Sequence, residues 1–158
     1  MNGTILPVTI KGVFYVEKTG GLIPLVLLED DTKRMMPIYI GLPEALSINA
    51  ALNNKTPPRP MTHDIFVSLL ERTCSKIEDI LIDELNGGVY FARICISMEE
   101  KHFELDARPS DCMAIALRCH APIHVIDSVI SEAMIKKEDL KDIKPLDDFL
   151  SYGYGTGI

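Results

Sequence analysis

The sequence predicts an α+β domain in which mostly antiparallel strands form meanders and helices pack on them. Three observations lead to this fold class. Strand-like patterns occur in two runs, at residues 8–40 and 75–107, and each run is followed by helix-like patterns. The connections within each run are short enough for hairpins. Runs of strands followed by helices are typical of α+β folds, whereas regular alternation of strands and helices would indicate a parallel sheet.

The first run of strands is predicted at residues 8–16, 22–29 and 35–40. Its first strand is rich in β-branched and aromatic side chains, and Gly20-Gly21 predicts the turn that follows. A helix over 42–52 carries a proline in its first turn, where the missing N–H is tolerated. A second helix over 62–73 is predicted to bury a stripe of apolar side chains, namely Ile65, Phe66, Leu69 and Leu70.

The second run of strands is predicted at residues 75–85, 89–97 and 102–107. Asn86-Gly87-Gly88 supplies a hairpin turn, because these residues accept positive φ. A helix over 110–119, a strand over 122–126 and a helix over 127–134 follow. We therefore expect a single domain over residues 8–135. Residues 136–158 are expected to form an acidic C-terminal extension, partly helical, with a disordered end over 151–158.

Composition limits the classes of function. No apolar run approaches the roughly 18 residues of a membrane span, and the N-terminus lacks the basic start of a signal peptide. We therefore expect a cytoplasmic protein without a membrane partner. The four cysteines contain no C-x-x-C pair, so we expect buried thiols rather than a zinc site. The net charge of −7 is unlike that of proteins that hold nucleic acid through phosphate contacts alone. A nuclease of this composition would need a local basic patch or a bound cation.

Two arginine-proline segments share the same parts. They are Arg59-Pro60-Met61-Thr62-His63-Asp64 and Arg108-Pro109-Ser110-Asp111. In each, an extended Arg-Pro enters a helix, a hydroxyl is placed to cap backbone N–H groups, and an acid lies in the first turn. The simplest interpretation is structural: Arg59 and Arg108 pair with the first-turn acids that follow them.

A functional interpretation arises if these helix starts converge with the helix start at Glu44. His63 can titrate near neutral pH and act as a general base. Carboxylate oxygens suit a hard cation such as Mg²⁺ or Mn²⁺, which activates water and steadies phosphate charge. Arginines hold phosphate through paired hydrogen bonds. The candidate catalytic residues are Glu44, His63, Asp64, Asp106 and Asp111, the candidate metal ligands are Asp64, Asp106 and Asp111, and the candidate substrate-binding residues are Arg59 and Arg108.

Several motifs in order carry a family resemblance over residues 8–135. They are Leu27-Leu28-Glu29, Pro37-Ile38-Tyr39-Ile40-Gly41 with Glu44-Ala45, the two arginine-proline segments with Asp106-Ala107 before the second, and Ala121-Pro122-Ile123. In these the chain resembles the bifunctional nuclease family. The resemblance implies a single, often self-associating α+β domain with nuclease activity on DNA and RNA. The family's motif residues carry over as Glu44, Arg59, His63, Asp64, Asp106, Arg108 and Asp111.

Two hypotheses about function remain open. The first is a metal-assisted phosphodiesterase that acts on DNA or RNA. The second is a non-catalytic module in which the arginines and acids form a structural salt-bridge network, or bind an anion or a protein partner. The net charge of −7 favours the second. We also expect a homo-oligomer, as a dimer, because a hydrophobic content of 47% is high for a chain with exposed strand edges.

Overall fold

The computed structural model of the protein describes residues 3–153. These residues form eight strands in one sheet and five α-helices, which confirms the predicted α+β class. A short 3-10 helix, Lys137–Leu140, precedes the last strand. The elements in chain order are β1 Ile5–Lys18, β2 Gly21–Asp30, β3 Met35–Tyr39, α1 Leu42–Leu52, α2 Thr62–Arg72, β4 Ser75–Asn86, β5 Val89–Met98, β6 Lys101–Ala107, α3 Pro109–Cys119, β7 Ile123–Ile126, α4 Asp127–Ala133, β8 Lys144–Pro145 and α5 Leu146–Gly153.

The sheet joins two antiparallel meanders through one late strand. Its order is β3-β2-β1-β7-β4-β5-β6, with β8 added beside β1. All pairs are antiparallel except β4 with β7, which run parallel. Because β7 follows α3, the chain crosses over the sheet before it returns to fill the gap between the meanders. Helices α1 and α3 lie side by side, with α1 packed on β1 and β2 and α3 packed on β4 and β5.

The two ends of the sheet curl toward each other. Tyr90 in β5 donates a hydrogen bond from its hydroxyl to the carbonyl oxygen of Pro37 in β3, at 3.2 Å. This bond joins strands that are far apart in the strand order. The core lies inside the curl, where α3 is the most buried helix. Its inner residues Cys112 to Ala116 are all buried, and the small alanines among them let the helix sit close to β4 and β5.

The structure corrects two predictions, one about which residues cap the helix starts and one about which side chains of α2 are buried. Helix α2 begins one residue earlier than a cap at Thr62 requires, and α3 begins two residues earlier than a cap at Ser110 requires. Met61 and Arg108 therefore occupy the N-cap positions, and neither hydroxyl caps. Asp64 supplies the missing acceptor at the start of α2, since its carboxylate accepts the Met61 N–H at 2.8 Å.

The predicted buried stripe of α2 is only half correct. Phe66 and Leu70 are half-buried, whereas Ile65 and Leu69 are exposed, because α2 packs on the outside of α3 and β4.

The C-terminal extension packs on the domain. Strand β8 pairs with β1, Leu146 is completely buried, and Phe149 meets the ring of Tyr15 edge-on with centroids 5.9 Å apart. The side-chain amide of Asn49 in α1 donates to Asp147 at 2.8 Å. Helix α5 ends at Gly153, three residues into the segment 151–158 for which disorder is predicted. The rest of that segment lies outside the described residues.

Strand β6 forms an exposed edge of the sheet. All its residues except Ala107 are exposed, and Phe103 and Leu105 are about two-fifths exposed although they lie opposite the buried Ile96 and Ile94 of β5. Unpaired apolar edges favour association, and self-association of this chain stays a prediction. No helix among residues 3–153 has the length and apolar character needed to cross a bilayer.

Candidate functional site

Three helices meet at one chain of polar side chains, which we call the three-helix network. Glu44 and Ser47 lie one turn apart on α1, and Asp111 and Arg118 lie two turns apart on α3, so each pair shares one face of its helix. The first turn of α2 contributes His63 and Asp64. The hydrogen bonds run in the order Glu44, Arg108, Asp111, His63, Ser47, Arg118 and Asp64.

The outer half of the three-helix network faces solvent. Arg108 donates from Nε to Asp111 Oδ2 at 2.9 Å, from Nη2 to Asp111 Oδ1 at 3.3 Å and from Nη1 to Glu44 Oε1 at 3.2 Å. The Arg108 side chain is 64% exposed. The other Glu44 oxygen lies so close over the backbone of Gly41 that a Cβ at position 41 would overlap it. The guanidinium of Arg108 is therefore held in place by two carboxylates while its outer edge stays open to water.

The inner half of the network is buried and continuous. His63 lies between two partners, with Nε2 2.9 Å from Asp111 Oδ1 and Nδ1 2.7 Å from Ser47 Oγ. Ser47 is 2% exposed, and its Oγ also accepts a hydrogen bond from Arg118 Nη2 at 3.1 Å. Because the Asp111 carboxylate can only accept, the bond to it places a proton on His63 Nε2, and the Ser47 hydroxyl, which accepts from Arg118, can donate its own proton to Nδ1. The orientation of the imidazole is thus fixed by one partner on each ring nitrogen.

Arg118 holds the inner half together, and the sequence analysis missed it. Its Nε donates to Asp64 Oδ1 at 2.8 Å, its Nη1 to the carbonyl of Ala114 at 2.8 Å, and its Nη2 to the carbonyl of Ser47 at 3.4 Å. The predicted pairing of Arg59 with Asp64 is therefore wrong, whereas Arg108 does pair with Asp111. The extended segment before α2 leaves Arg59 exposed, while Arg118, only 11% exposed, approaches Asp64 from α3.

The seven candidate residues separate into two groups. Glu44, His63, Asp64, Arg108 and Asp111 belong to the three-helix network. The side chains of Arg59 and Asp106 are exposed and make no hydrogen bond or ion pair with the other described residues. Ser47 and Arg118 are the two network members that sequence reasoning did not find. The available signal was spacing: Ser47 follows Glu44 by one helical turn and Arg118 follows Asp111 by two, which places each pair on one face of its helix.

Charge partners set the protonation of the two acids. The hydrogen bond from Arg118 holds the pKa of Asp64 below its usual value, although partial burial opposes this. Burial would raise the pKa of Asp111, but the hydrogen bonds from Arg108 and His63 outweigh it and lower that pKa. Both carboxylates are ionised at neutral pH and neutralise the two arginines.

Acid is therefore expected to weaken the fold through Asp64. A carboxyl whose pKa is lower in the folded state stabilises that state above its unfolded pKa of about 4, and the gain is lost as pH falls through the folded pKa. Urea unfolding of the wild type from pH 7 downward is expected to show a constant free energy until roughly pH 5, then a steep decline. Asp64→Asn should be less stable at pH 7 and decline less steeply. Parallel curves for the two proteins would contradict the role assigned to Asp64.

The predicted metal ligands do not form a ready cage. Among residues 3–153, no three His, Cys, Asp or Glu side chains are grouped so as to hold a metal ion. Asp64 and Asp111 are already neutralised by Arg118 and Arg108, and Asp106 lies outside the network. A cation held by these carboxylates would have to displace a guanidinium, so the described residues do not fit a protein-only Mg²⁺ or Mn²⁺ site.

The cysteines take no part in the network. Cys112 is completely buried, and this burial raises the pKa of its thiol to about 12, so it remains protonated and fills space in the core. Cys95 and Cys119 are half-buried. Cys74 departs from the predicted buried thiols, because it lies exposed at φ 55° in the turn before β4.

Comparison with known proteins decides the family. Residues 25–138 match the bifunctional nuclease domain, a span that includes every member of the three-helix network. The chain belongs to the bifunctional nuclease domain family. A protein of Mycobacterium tuberculosis described only as uncharacterized is 34% identical over 118 residues, which cover 75% of this chain and 70% of that protein.

Plant members of the family carry a functional name. Bifunctional nuclease 1 of Oryza sativa subsp. indica is 31% identical over 101 residues, which cover 62% of this chain and 30% of the plant protein. Bifunctional nuclease 2 of Oryza sativa subsp. japonica is 22% identical over 134 residues, or 83% of this chain and 40% of the plant protein. This chain therefore corresponds to less than half of each plant protein.

Proposed function

We propose that this chain hydrolyses phosphodiester bonds of DNA or RNA at the outer half of the three-helix network. One observation carries the proposal: a histidine fixed between Ser47 and Asp111 lies beside an exposed, immobilised arginine. The family match and the names of the plant relatives supply the reaction class.

Hydrolysis needs a group that takes a proton from the attacking water and a cation that neutralises charge on the phosphate. Asp111 is the partly exposed end of the His63–Asp111 pair, so a water molecule can reach its carboxylate. That carboxylate would take a proton from the water as the water oxygen bonds to phosphorus, while the bond from phosphorus to the leaving oxygen breaks and the leaving oxygen takes a proton from solvent. Arg108 can bind the phosphate. A guanidinium has five N–H donors, and three of those on Arg108 bond to Glu44 and Asp111, which leaves two for an anion.

We propose separately that Mg²⁺ or Mn²⁺ joins the site together with the substrate. Magnesium commonly binds through one or two carboxylates together with substrate phosphates and water. Such an ion could therefore join the site only with the substrate. Its contribution would be to activate water and to neutralise phosphate charge.

The proposal is tested by incubating the purified chain with labelled single-stranded and double-stranded DNA and RNA, in Mg²⁺, in Mn²⁺ and in chelator. We expect cleavage of at least one substrate by the wild type. Asp111→Asn should cleave at least about ten times more slowly, because the proton-accepting pair is broken. Equal cleavage by both proteins would indicate a contaminant and overturn the proposal. The chelator arm reports separately whether a metal is required.

A second candidate is a non-catalytic module, in which the network only fastens three helices together. The observation that favours it is the burial of Ser47 and Arg118, whose polar groups are satisfied within the protein. The exposed half of the network distinguishes the two candidates, since a purely structural role gives no reason to keep Arg108 open to solvent.

A further inference from the structure

A cleft runs beside Arg108 along the seam where the curled sheet brings β3 near β5. Its volume is about 450 Å³. That volume lies within the range of pockets for small ligands. Aromatic and small residues line its walls, and Arg108 stands at one end. The lining residues that matter here are Tyr39, Gly41, Gly88, Val89, Tyr90 and Arg108.

The wall of the cleft presents an aromatic ring to solvent. Tyr39 is the last residue of β3 and is 57% exposed. Tyr90 forms the opposite side, and its ring is fixed because its hydroxyl bonds the carbonyl of Pro37. Gly88, at φ 79°, closes the turn before β5 without adding a side chain to the cleft. The cleft therefore offers the exposed ring of Tyr39 next to the anchored ring of Tyr90, and a flat ring could stack on the exposed one.

Charge at one end of the cleft suits a phosphate. Two N–H donors of Arg108 remain free, and the guanidinium is fixed by Glu44 and Asp111. The same acids reduce the local positive charge, and the whole chain carries −7. Long-range attraction to a phosphate backbone is consequently weak. Most of the free energy for binding a nucleic acid must then come from contacts with the bases.

We infer that this cleft binds one unstacked base of a single-stranded nucleic acid, with its ring on Tyr39 and an adjoining phosphate on Arg108. The inference rests on the proposed function and names its substrate class. Bases in a duplex are stacked on their neighbours and do not offer a free face, whereas every base of a single strand does. DNA and RNA share this chemistry, so both are expected to bind.

The test is the binding of fluorescent phosphorothioate oligothymidylate to the intact chain, measured by anisotropy. Three comparison probes are used: the same strand in a duplex, an abasic strand of equal charge, and oligouridylate. We expect the single strands to bind more tightly than the duplex or the abasic strand. Tyr39→Ala should weaken binding of the single strands by roughly 5- to 100-fold, which corresponds to loss of one stacked base. Tyr39→Phe should keep affinity within about twofold, since it keeps the ring.

The control variant is Phe103→Ala, which removes another exposed aromatic ring, on β6 and outside the cleft. It is expected to bind as the wild type does. Equal affinity of Tyr39→Ala and wild type, equal affinity for the abasic strand, or no binding by the wild type would each overturn the inference. Cleavage that does not depend on Tyr39 would overturn the inference and leave the nuclease proposal standing. Binding that depends on Tyr39 without any cleavage would support the cleft and overturn hydrolysis.

Discussion

Replacement of Arg118 by alanine is expected to cause the largest loss of stability of any single change in the network. The side chain of Arg118 is almost buried, and it donates hydrogen bonds to Asp64, to Ser47 and to the carbonyl oxygen of Ala114. Its removal leaves the partly buried Asp64 carboxylate without its positively charged partner and takes one hydrogen bond from each of the other acceptors. Breaking a buried charge pair from one side typically costs about 3 kcal/mol or more. For a chain of this length we expect a fall of roughly 6–12 °C in the melting temperature.

Arg59→Ala is the matched control for this experiment. Arg59 is exposed and makes no hydrogen bond or ion pair with the described residues, so its loss should change the free energy of unfolding by no more than about 0.5 kcal/mol. Thermal and urea unfolding at pH 7 measure both variants. If Arg118→Ala were as stable as Arg59→Ala, the inner half of the network would contribute nothing to the fold.

The fold class and nearly every element could be read from the sequence, because local patterns determine them. Gly20-Gly21 and Asn86-Gly87-Gly88 form the predicted turns, and the strands and helices fall close to their predicted bounds. The parallel pairing of β7 with β4 could not be predicted. A four-residue apolar strand is compatible with either direction, and only the crossover through α3 decides it.

The site was predictable in its acids and histidine but not in its connections. His63, Asp64, Asp111 and Glu44 were found because they lie at helix starts. Each of the two arginine-proline starts predicted a local partner for its acid, yet Asp64 is paired with Arg118, which is 54 residues away in the sequence. Partners of this kind depend on how α2 and α3 cross, and a single sequence carries no record of that geometry.

The burial of Ser47 could not be predicted, although its spacing from Glu44 places both residues on one face of α1. Ser47 reads as an ordinary helical residue three positions after Glu44, and serine is usually exposed. In the structure it completes the line of hydrogen bonds between Arg118 and His63. Its importance follows from burial, since a buried hydroxyl needs partners, and burial at position 47 is decided by the packing of α1 on α3.

Arg108→Ala separates catalysis from stability, because the Arg108 side chain is exposed. Ion pairs of exposed residues contribute about 1 kcal/mol or less, so the variant should unfold nearly as the wild type does. Loss of its charge from the reacting phosphate should lower the cleavage rate by about 100- to 1000-fold. Arg93→Ala serves as the control. Arg93 lies on β5, outside the network, and also pairs with two carboxylates, so this variant should cleave at the wild-type rate.

The deciding measurement is the rate of phosphodiester cleavage by wild type, Arg108→Ala and Arg93→Ala, each with its urea unfolding curve recorded from the same preparation. We expect that Arg108→Ala alone loses activity, while its free energy of unfolding stays within about 1 kcal/mol of the wild type. Unchanged cleavage by Arg108→Ala, or a loss of stability of several kcal/mol together with no cleavage by any protein, would contradict it and favour the structural network.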